Sequence, residues 1–386
     1  MLISVNENKR TRGTNSENEE KRPWADLLEE LMENIMGNLF FVDQACVRAV
    51  CKRWKSIRHV RPKRQIPWLL LWHTKSLTTC KLYDPCYKKT YLIRDTGIKD
   101  TDRKEDTTYT LWESKKGWLL ISHSAFTHEI YTSFFLYNPF SNERVELPKL
   151  NEGYIGSVSC CATFSYPPTS PNCVVFIMRY HPRKDTIEIK TCHPGNKTWT
   201  TSFFSYKDST FFPQMNVVYM NAKFYCFDTN QALGIFDLTE RSWIVFPVNI
   251  EVLDRKSIYR KVMVETDGEL LLIPKIFSPN TAIYKLDLSQ MKCVKIESLG
   301  DRVVFAGPAI LVSGSEKDQG VEDRIYFFRN SKPEFHSLKY HQSLPATSTY
   351  GGICTEGSNV DSLFCWKECK ATCGDHCNMT WIEPPL

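Results

Sequence analysis

From Trp68 onward, short apolar runs rich in Val, Ile, Phe, Tyr and Trp alternate with Gly, Pro, Asn and Asp turns, and little reads as helix. That grammar is the strongest constraint on the fold, because β-branched and aromatic residues bounded by turn formers make strands. The runs include WLLLW at 68–72, GWLLIS at 117–122, FFLY at 134–137, CVVFIM at 173–178, KFYCF at 223–227, ELLLI at 269–273, PAILVS at 308–313 and RIYFF at 324–328. Leaving out two that pair within a unit, successive members stand about 40 to 55 residues apart, the interval expected of propeller blades. A pair of β-sandwiches could supply eight such strands. One period sustained over about 310 residues fits a closed ring better, because closure abolishes exposed edges.

A second feature recurs in step. Leu82-Tyr83-Asp84-Pro85, Leu136-Tyr137-Asn138-Pro139, Cys192-His193-Pro194, Ile235-Phe236-Asp237-Leu238 and Lys285-Leu286-Asp287-Leu288 each read as the same hairpin corner. Asp, Asn and Pro make the tight turn between a blade's outer strands. A large residue then follows, such as Trp199 after His193 or Trp243 after Asp237, and is expected to pack between neighbouring blades. The fold class is therefore mainly β, a propeller of about six blades after a small N-terminal α region.

That α region is Pro23 to Ser56. Leu27, Leu31, Ile35 and Leu39 recur at four-residue spacing and so share one helical stripe, which Leu28 and Met32 widen. Asp26, Glu29, Glu30 and Glu33 crowd the first turns, where the helix dipole favours negative charge. Asp43 is a candidate cap for a second helix, in which Val47, Val50, Cys51 and Trp54 again recur at three- and four-residue spacing. A segment of about 35 residues buries too little apolar surface to stand alone, so it must lean on something else.

The formal charge of +5 argues against a protein committed as a whole to nucleic acid. The excess is local: Gln44 to Gln65 holds no Asp or Glu but includes Arg48, Lys52, Arg53, Lys55, Arg58, Arg61, Lys63 and Arg64. A phosphate groove is one reading of segment 48–64 and a solvated helix face the blander, favoured one. Residues 1–22 are polar and without apolar periodicity, so disorder is expected. They lack the apolar core of a signal peptide, and no later run is long enough to span a bilayer. The expected location is the nucleus, the cytoplasm or both, where fifteen cysteines stay reduced and the sequons at Asn196 and Asn378 stay unglycosylated.

Cys365, Cys369, Cys373 and Cys377, with Cys354 and His376 nearby, invite a zinc reading. The usual knuckle has two residues between paired cysteines and this cluster has three, so a cysteine-rich surface loop of free thiols is favoured and no metal or cofactor is expected. His123 and His128 form no HExxH or His-x-His pair, and GxSxG, P-loop and GxGxxG are all missing. Asp84, Asp237 and Asp287 occupy turn positions. Nothing argues for an enzyme.

The order Trp24, Asp26-Leu27, Leu31, Ile35, Leu39, Asp43, Val47 and the closing run Val50-Cys51-Lys52-Arg53-Trp54-Lys55-Ser56 resembles an F-box, the closing run matching the VCKxWxS ending of many plant F-boxes. One departure is Leu28, where the family usually has the proline of Leu-Pro. The repeats resemble plant F-box proteins with a divergent, kelch-like C-terminal propeller. Leu299-Gly300-Asp301-Arg302-Val303-Val304-Phe305 is similar to that family's LGDR(V)xF motif, and Trp381-Ile382-Glu383-Pro384-Pro385 to its WxxP terminus. The family has an aspartate- and tryptophan-rich stretch where this chain has its cysteines. The resemblance implies a three-helix F-box at 23–60, a linker at 61–67 and a kelch-like propeller at 68–386. It further implies docking on a Skp-type adaptor, and through it a cullin, by Leu27, Leu28, Leu31, Ile35, Leu39, Val47, Val50, Cys51 and Trp54. The propeller would hold an unknown protein substrate for ubiquitin transfer catalysed by other subunits. The alternative is a ligand-binding or catalytic propeller with a nucleic-acid anchor at 48–64.

Overall fold

The computed structural model describes residues 24–57, 60–63, 65–73, 76–94, 96, 107–126, 130–150, 160–181, 185–205, 213–228, 231–250, 261–274, 282–306, 310–314, 323–329, 332–337, 342–345 and 377–385. The expected disorder of residues 1–22 lies outside them. The chain forms two compact units, one bounded Met1–Gln65 and joined by Pro384–Leu386, the other Ile66–Glu383.

In the first unit a 3-10 turn, Trp24–Asp26, leads into α1 (Glu29–Gly37), α2 (Phe41–Val50) and α3 (Lys52–Ser56). Glu29 and Glu30 occupy the first turn of α1, against its positive end. The helix stops at Gly37-Asn38, where the Asn38 N–H donates to the Ile35 carbonyl at 3.1 Å, the Leu39 N–H to that of Met36 at 3.0 Å, and the Asn38 Nδ2 to the Asn34 carbonyl at 2.9 Å. The expected cap at Asp43 is corrected: α2 starts two residues earlier, with extended Phe40 as its N-cap residue and no side-chain bond from it. Asp43 instead sits in the first turn, where its charge still faces the dipole. Cys51 does cap, its sulfur accepting the Trp54 N–H at 3.5 Å at the head of α3. The core is small: Met32, Met36 and Ile57, flanked by half-buried Leu27, Val47, Trp54 and Val60.

The second unit is built from β1 (Trp68–His73), β2 (Ser76–Asp84) and β3 (Lys89–Arg94), then β4 (Thr107–Lys115), β5 (Trp118–Phe126), β6 (Ile130–Asn138) and β7 (Glu143–Glu146). Blade 3 holds β8 (Cys160–Phe164), β9 (Val175–His181), β10 (Thr186–Cys192) and β11 (Thr200–Ser205). Blade 4 holds β12 (Pro213–Met220), β13 (Lys223–Asp228), β14 (Ala232–Asp237) and β15 (Ser242–Pro247). In blade 5, β16 (Asn249–Ile250) lies parallel against the outer strand of β17 (Lys261–Thr266), β18 (Glu269–Pro274), β19 (Ile283–Asp287) and β20 (Lys292–Ile296). Blade 6 holds β21 (Arg302–Ala306), β22 (Ile310–Gly314), β23 (Arg324–Arg329), β24 (Lys332–Ser337) and β25 (Gln342–Pro345), and β26 (Cys377–Ile382) returns to blade 1. Among the described residues these strands make six sheets. The expected propeller is the observed fold, because the innermost strands β26, β4, β8, β12, β17 and β22 pack on one another in a closed cycle.

Strand alternation gives each blade two apolar faces, one toward each neighbour. In β18, Leu270 and Leu272 join the core shared with blade 4, while Leu271 and Ile273 join the core shared with blade 6. That is why ELLLI reads as a continuous apolar run rather than an alternating one. Trp199 and Trp243 fill the expected positions, packing on the cores between blades 2 and 3 and between blades 3 and 4.

The corners share one geometry. Asp84 Oδ1 accepts the Cys86 and Tyr87 N–H groups at 2.8 and 3.3 Å, and Asn138 Oδ1 accepts those of Phe140 and Ser141 at 2.9 and 3.2 Å. Asp237 takes Thr239 and Glu240 at 2.9 and 3.1 Å, and Asp287 takes Ser289 and Gln290 at 2.8 and 3.3 Å. Each loop closes with a residue at positive φ: Lys88 at 50°, Asn142 at 59°, Arg241 at 53° and Met291 at 48°. The inner hairpins β12–β13 and β17–β18 turn on two positive-φ residues, Asn221-Ala222 and Asp267-Gly268, as type I′ turns demand.

Blade 6 departs from simple up-and-down order. Its order is β22-β21-β23-β24-β25, with β21 parallel to β23, so Ile310–Gly314 supplies the innermost strand after Arg302–Ala306, which follows the Leu299-Gly300-Asp301 turn, has made the second.

Candidate functional site

The helical unit divides its apolar residues between two directions. Met32 and Met36, one turn apart, face inward at 3% and 0% exposure, while Leu28, Leu31 and Ile35 leave 64%, 50% and 44% of their surface in solvent. On a helix, Leu28, Leu31 and Ile35 fall within one arc beside the methionines. Val50 and Trp24 are exposed as well, at 65% and 57%. So much exposed aliphatic and aromatic surface on so small a unit marks an interaction surface.

The nine residues expected to dock the adaptor thus lie in one unit but do different things. Leu28, Leu31, Ile35 and Val50 are open to solvent. Leu27, Val47 and Trp54 pack onto Met32, Met36 and Ile57 and build the unit. Leu39 and Cys51 are half-buried, the latter as the α3 cap. Sequence reading missed the inward role of Met32 and Met36, although their four-residue spacing was a visible signal. It also missed fully buried Gln44, whose Nε2 donates to the Met36 carbonyl at 2.6 Å and ties α2 to α1.

The basic segment is partly committed to structure. Arg48 donates through Nε to the Ile57 carbonyl and through a terminal nitrogen to that of Val60, both at 3.2 Å. Lys52, Arg53, Lys55 and Arg61 are exposed, while Arg58 and Arg64 lie outside the described residues.

Within the propeller, the family-like motifs build the ring. Asp323 Oδ1 accepts the Leu299 N–H at 2.7 Å and the Ser298 hydroxyl at 3.2 Å. Arg302 donates to the Leu299 carbonyl at 3.0 Å and to Glu269 of blade 5, also at 3.0 Å. Hydrogen bonds from Lys285 and then Arg302 hold the Glu269 carboxyl below its usual range. Trp381, fully buried, donates its indole N–H to the Ala306 carbonyl at 3.3 Å and packs edge-on against Phe305 at 5.1 Å. Two residues later, Glu383 accepts the Lys116 N–H of blade 2 at 2.9 Å. β26 is therefore fastened to the blades on both sides of it.

Two buried charge clusters serve the same end. Burial pushes the Glu113 carboxyl up despite Lys115 at 3.7 Å, and Thr163 of blade 3 donates to it at 2.9 Å. In blade 3, burial alone would raise Glu188, but Lys190 Nζ at 2.7 Å and His181 Nε2 at 3.0 Å hold it below its usual value. Asp237 and Asp287 are likewise held low, by Lys223 and by Ser289 respectively. These carboxylates make turns and ties.

Among the described residues no group of three or more His, Cys, Asp and Glu is placed to hold a metal ion. Cys365, Cys369 and Cys373 lie outside those residues, as does His128, while Cys377 opens β26. The His123 ring packs against that of Tyr109, tilted by 30° with centroids 4.8 Å apart. Burial raises the Cys80 and Cys173 thiols to about 12 and that of Cys192 to about 11, so they stay protonated and inert.

The chain matches the profile of the F-box domain over residues 24–65 and that of the KIB1-4 beta-propeller over residues 82–350. It is 30% identical over 327 residues to an F-box/kelch-repeat protein of Arabidopsis thaliana, covering 83% of this chain and 87% of the relative. Two F-box proteins of the same plant are 28% identical over 361 residues and 27% identical over 372, covering 92% and 96% of this chain and 72% and 91% of the relatives.

Proposed function

This chain belongs to the F-box proteins that carry a KIB1-4 β-propeller, and from that premise we propose that it is the substrate-recognition subunit of a Skp–cullin–F-box ubiquitin ligase. The observation that carries the proposal is the outward stripe Leu28, Leu31 and Ile35 on α1, alongside the inward Met32 and Met36. An apolar stripe left in solvent beside a satisfied core is a surface awaiting a partner. The Skp-type adaptor covers it, with Val50 contributing from the end of α2, and brings the cullin with it. The propeller holds a protein substrate, and the transfer chemistry belongs to other subunits. This subunit acts by raising the effective concentration of substrate at the ligase. Its location is the nucleus or cytoplasm, where its thiols remain reduced.

The test is co-purification from plant cells with adaptor and cullin, comparing the native chain with the double variant Leu31→Asp, Ile35→Asp. Both residues are about half exposed, so the fold should survive, whereas in a complex each Asp would be an unpaired buried charge. Adaptor recovery should fall at least tenfold with an unchanged melting curve. Undiminished recovery sinks the proposal. Met36→Asp, at a fully buried position, is the contrasting control and should unfold the helices themselves.

A further inference from the structure

The residue that opens α1 is the wrong one for its place. Leu28 is the N-cap of that helix, and its side chain makes no capping bond. Ser, Thr, Asp or Asn there would accept an orphan N–H of the first turn, and leucine ranks among the poorest residues at the position. The backbone does not ask for leucine either. It stands at φ −58° and ψ 141°, a φ that proline locks, and among the described residues the Leu28 N–H makes no hydrogen bond for a proline to forfeit. Nor does the side chain serve the core of the unit: Leu27 packs onto Met32, Met36 and Ile57, whereas Leu28 leaves 64% of its surface in solvent. A residue that breaks each local preference of its position, with no gain inside its own fold, has its reason outside that fold. Leu28 continues the outward line of Leu31 and Ile35, three and seven residues on.

We infer that Leu28 is a specificity residue of the docking surface: its branched side chain enters an apolar pocket on the adaptor that a proline ring would fill only in part, so this chain favours adaptors that have the pocket. The inference deepens the adaptor-docking reading above and rests on it.

Three variants of the full chain test it, Leu28→Ala, Leu28→Pro and Leu28→Met, each titrated with the Skp-type adaptor that co-purifies with the native chain. Hydrogen exchange of the α1 amides is followed in the free proteins. Leu28→Ala should weaken adaptor binding about tenfold, and Leu28→Met, of similar length and polarity, should stay within about threefold. Leu28→Pro should slow α1 exchange about two- to fivefold, by restricting the unfolded chain, and yet bind the adaptor at least about fivefold more weakly. Stability and affinity thus move in opposite directions, which a purely structural role would not produce. Leu28→Pro binding as tightly as the native chain overturns the inference, and so does Leu28→Ala binding within about twofold of it. A loss of affinity that tracks faster α1 exchange in Leu28→Ala places the residue in the fold and overturns it as well. Should proline itself loosen α1, the alanine variant decides alone. Failure of these variants while Leu31→Asp, Ile35→Asp still abolishes binding removes the pocket and leaves the docking reading standing; a native chain that binds no adaptor removes both.

Discussion

Replacing Trp381 by Ala attacks the ring where its two ends meet. Trp381 is completely buried, packs against Phe305 of blade 6 at 5.1 Å and donates to the Ala306 carbonyl at 3.3 Å. Truncating a buried Trp to Ala costs about 3–5 kcal/mol, which already includes the cavity left behind. The stranded Ala306 carbonyl places this case toward the upper end. The loss should therefore be about 4–5 kcal/mol. A folded body of about 320 residues has an unfolding entropy of about 0.67 kcal/mol per kelvin, so the melting midpoint should drop by roughly 6–7.5 °C. Urea unfolding followed by tryptophan fluorescence and circular dichroism measures the loss and a thermal melt the midpoint, with Ile244→Ala, half exposed on outer strand β15, as a control expected within about 0.5 kcal/mol. Trp381→Phe should recover part of the loss by restoring packing without the N–H. A loss below about 1.5 kcal/mol for Trp381→Ala would refute the reasoning and mean that β26 is not what seals the ring.

Ala222 is held at φ 60° in the β12–β13 turn, a conformation that strains any residue with a Cβ, so Ala222→Gly should raise stability by up to about 1 kcal/mol in denaturant unfolding; a loss would mean that the turn relaxes in solution. The lowered value of Glu188 means that its contribution is present above the ordinary glutamate value near pH 4.5 and is lost as the pH falls through the lower folded-state value. Glu188→Gln should therefore flatten the acid limb of stability as the pH falls below the ordinary glutamate value near 4.5 and, at neutral pH, weaken the protein by removing the carboxylate from buried Lys190; an unaltered acid limb would show that the pair contributes nothing. The purified chain should carry less than about half an equivalent of zinc, with a melting curve indifferent to chelator. Stoichiometric metal by elemental analysis, lost together with stability on Cys369→Ser and Cys373→Ser, would reverse that expectation.

Much of the propeller was legible because its information is local. A corner such as Asp237-Leu238-Thr239-Glu240-Arg241 encodes its own carboxylate-to-backbone bonds and left-handed closing residue, and the same few residues recur at 84–88, 138–142 and 287–291. Runs such as ELLLI announce a strand buried on both sides, whatever surrounds it. The helical unit was legible in the same way: four-residue spacing states that Leu31 and Ile35 share a face.

What spacing does not state is which of two adjacent stripes turns inward. Met32-Met36 and Leu31-Ile35 are separated by a single step on α1, and the packing of Val47, Trp54 and Ile57 against the methionines settles which pair is left for a partner. The start of α2 escaped for a similar reason, since Asp43 is a good cap by type but the chain turns at Phe40. Nor could local pattern reveal that β21 would lie parallel to β23 with β22 as the inner strand. The sequence by itself determined the elements and their period, because turns and strand faces depend on neighbours within a few residues. Only the tertiary structure decided how the ring is sealed, because the pairing of Trp68 with Ile382 and the seat of Trp381 on Ala306 join residues that no short window contains together.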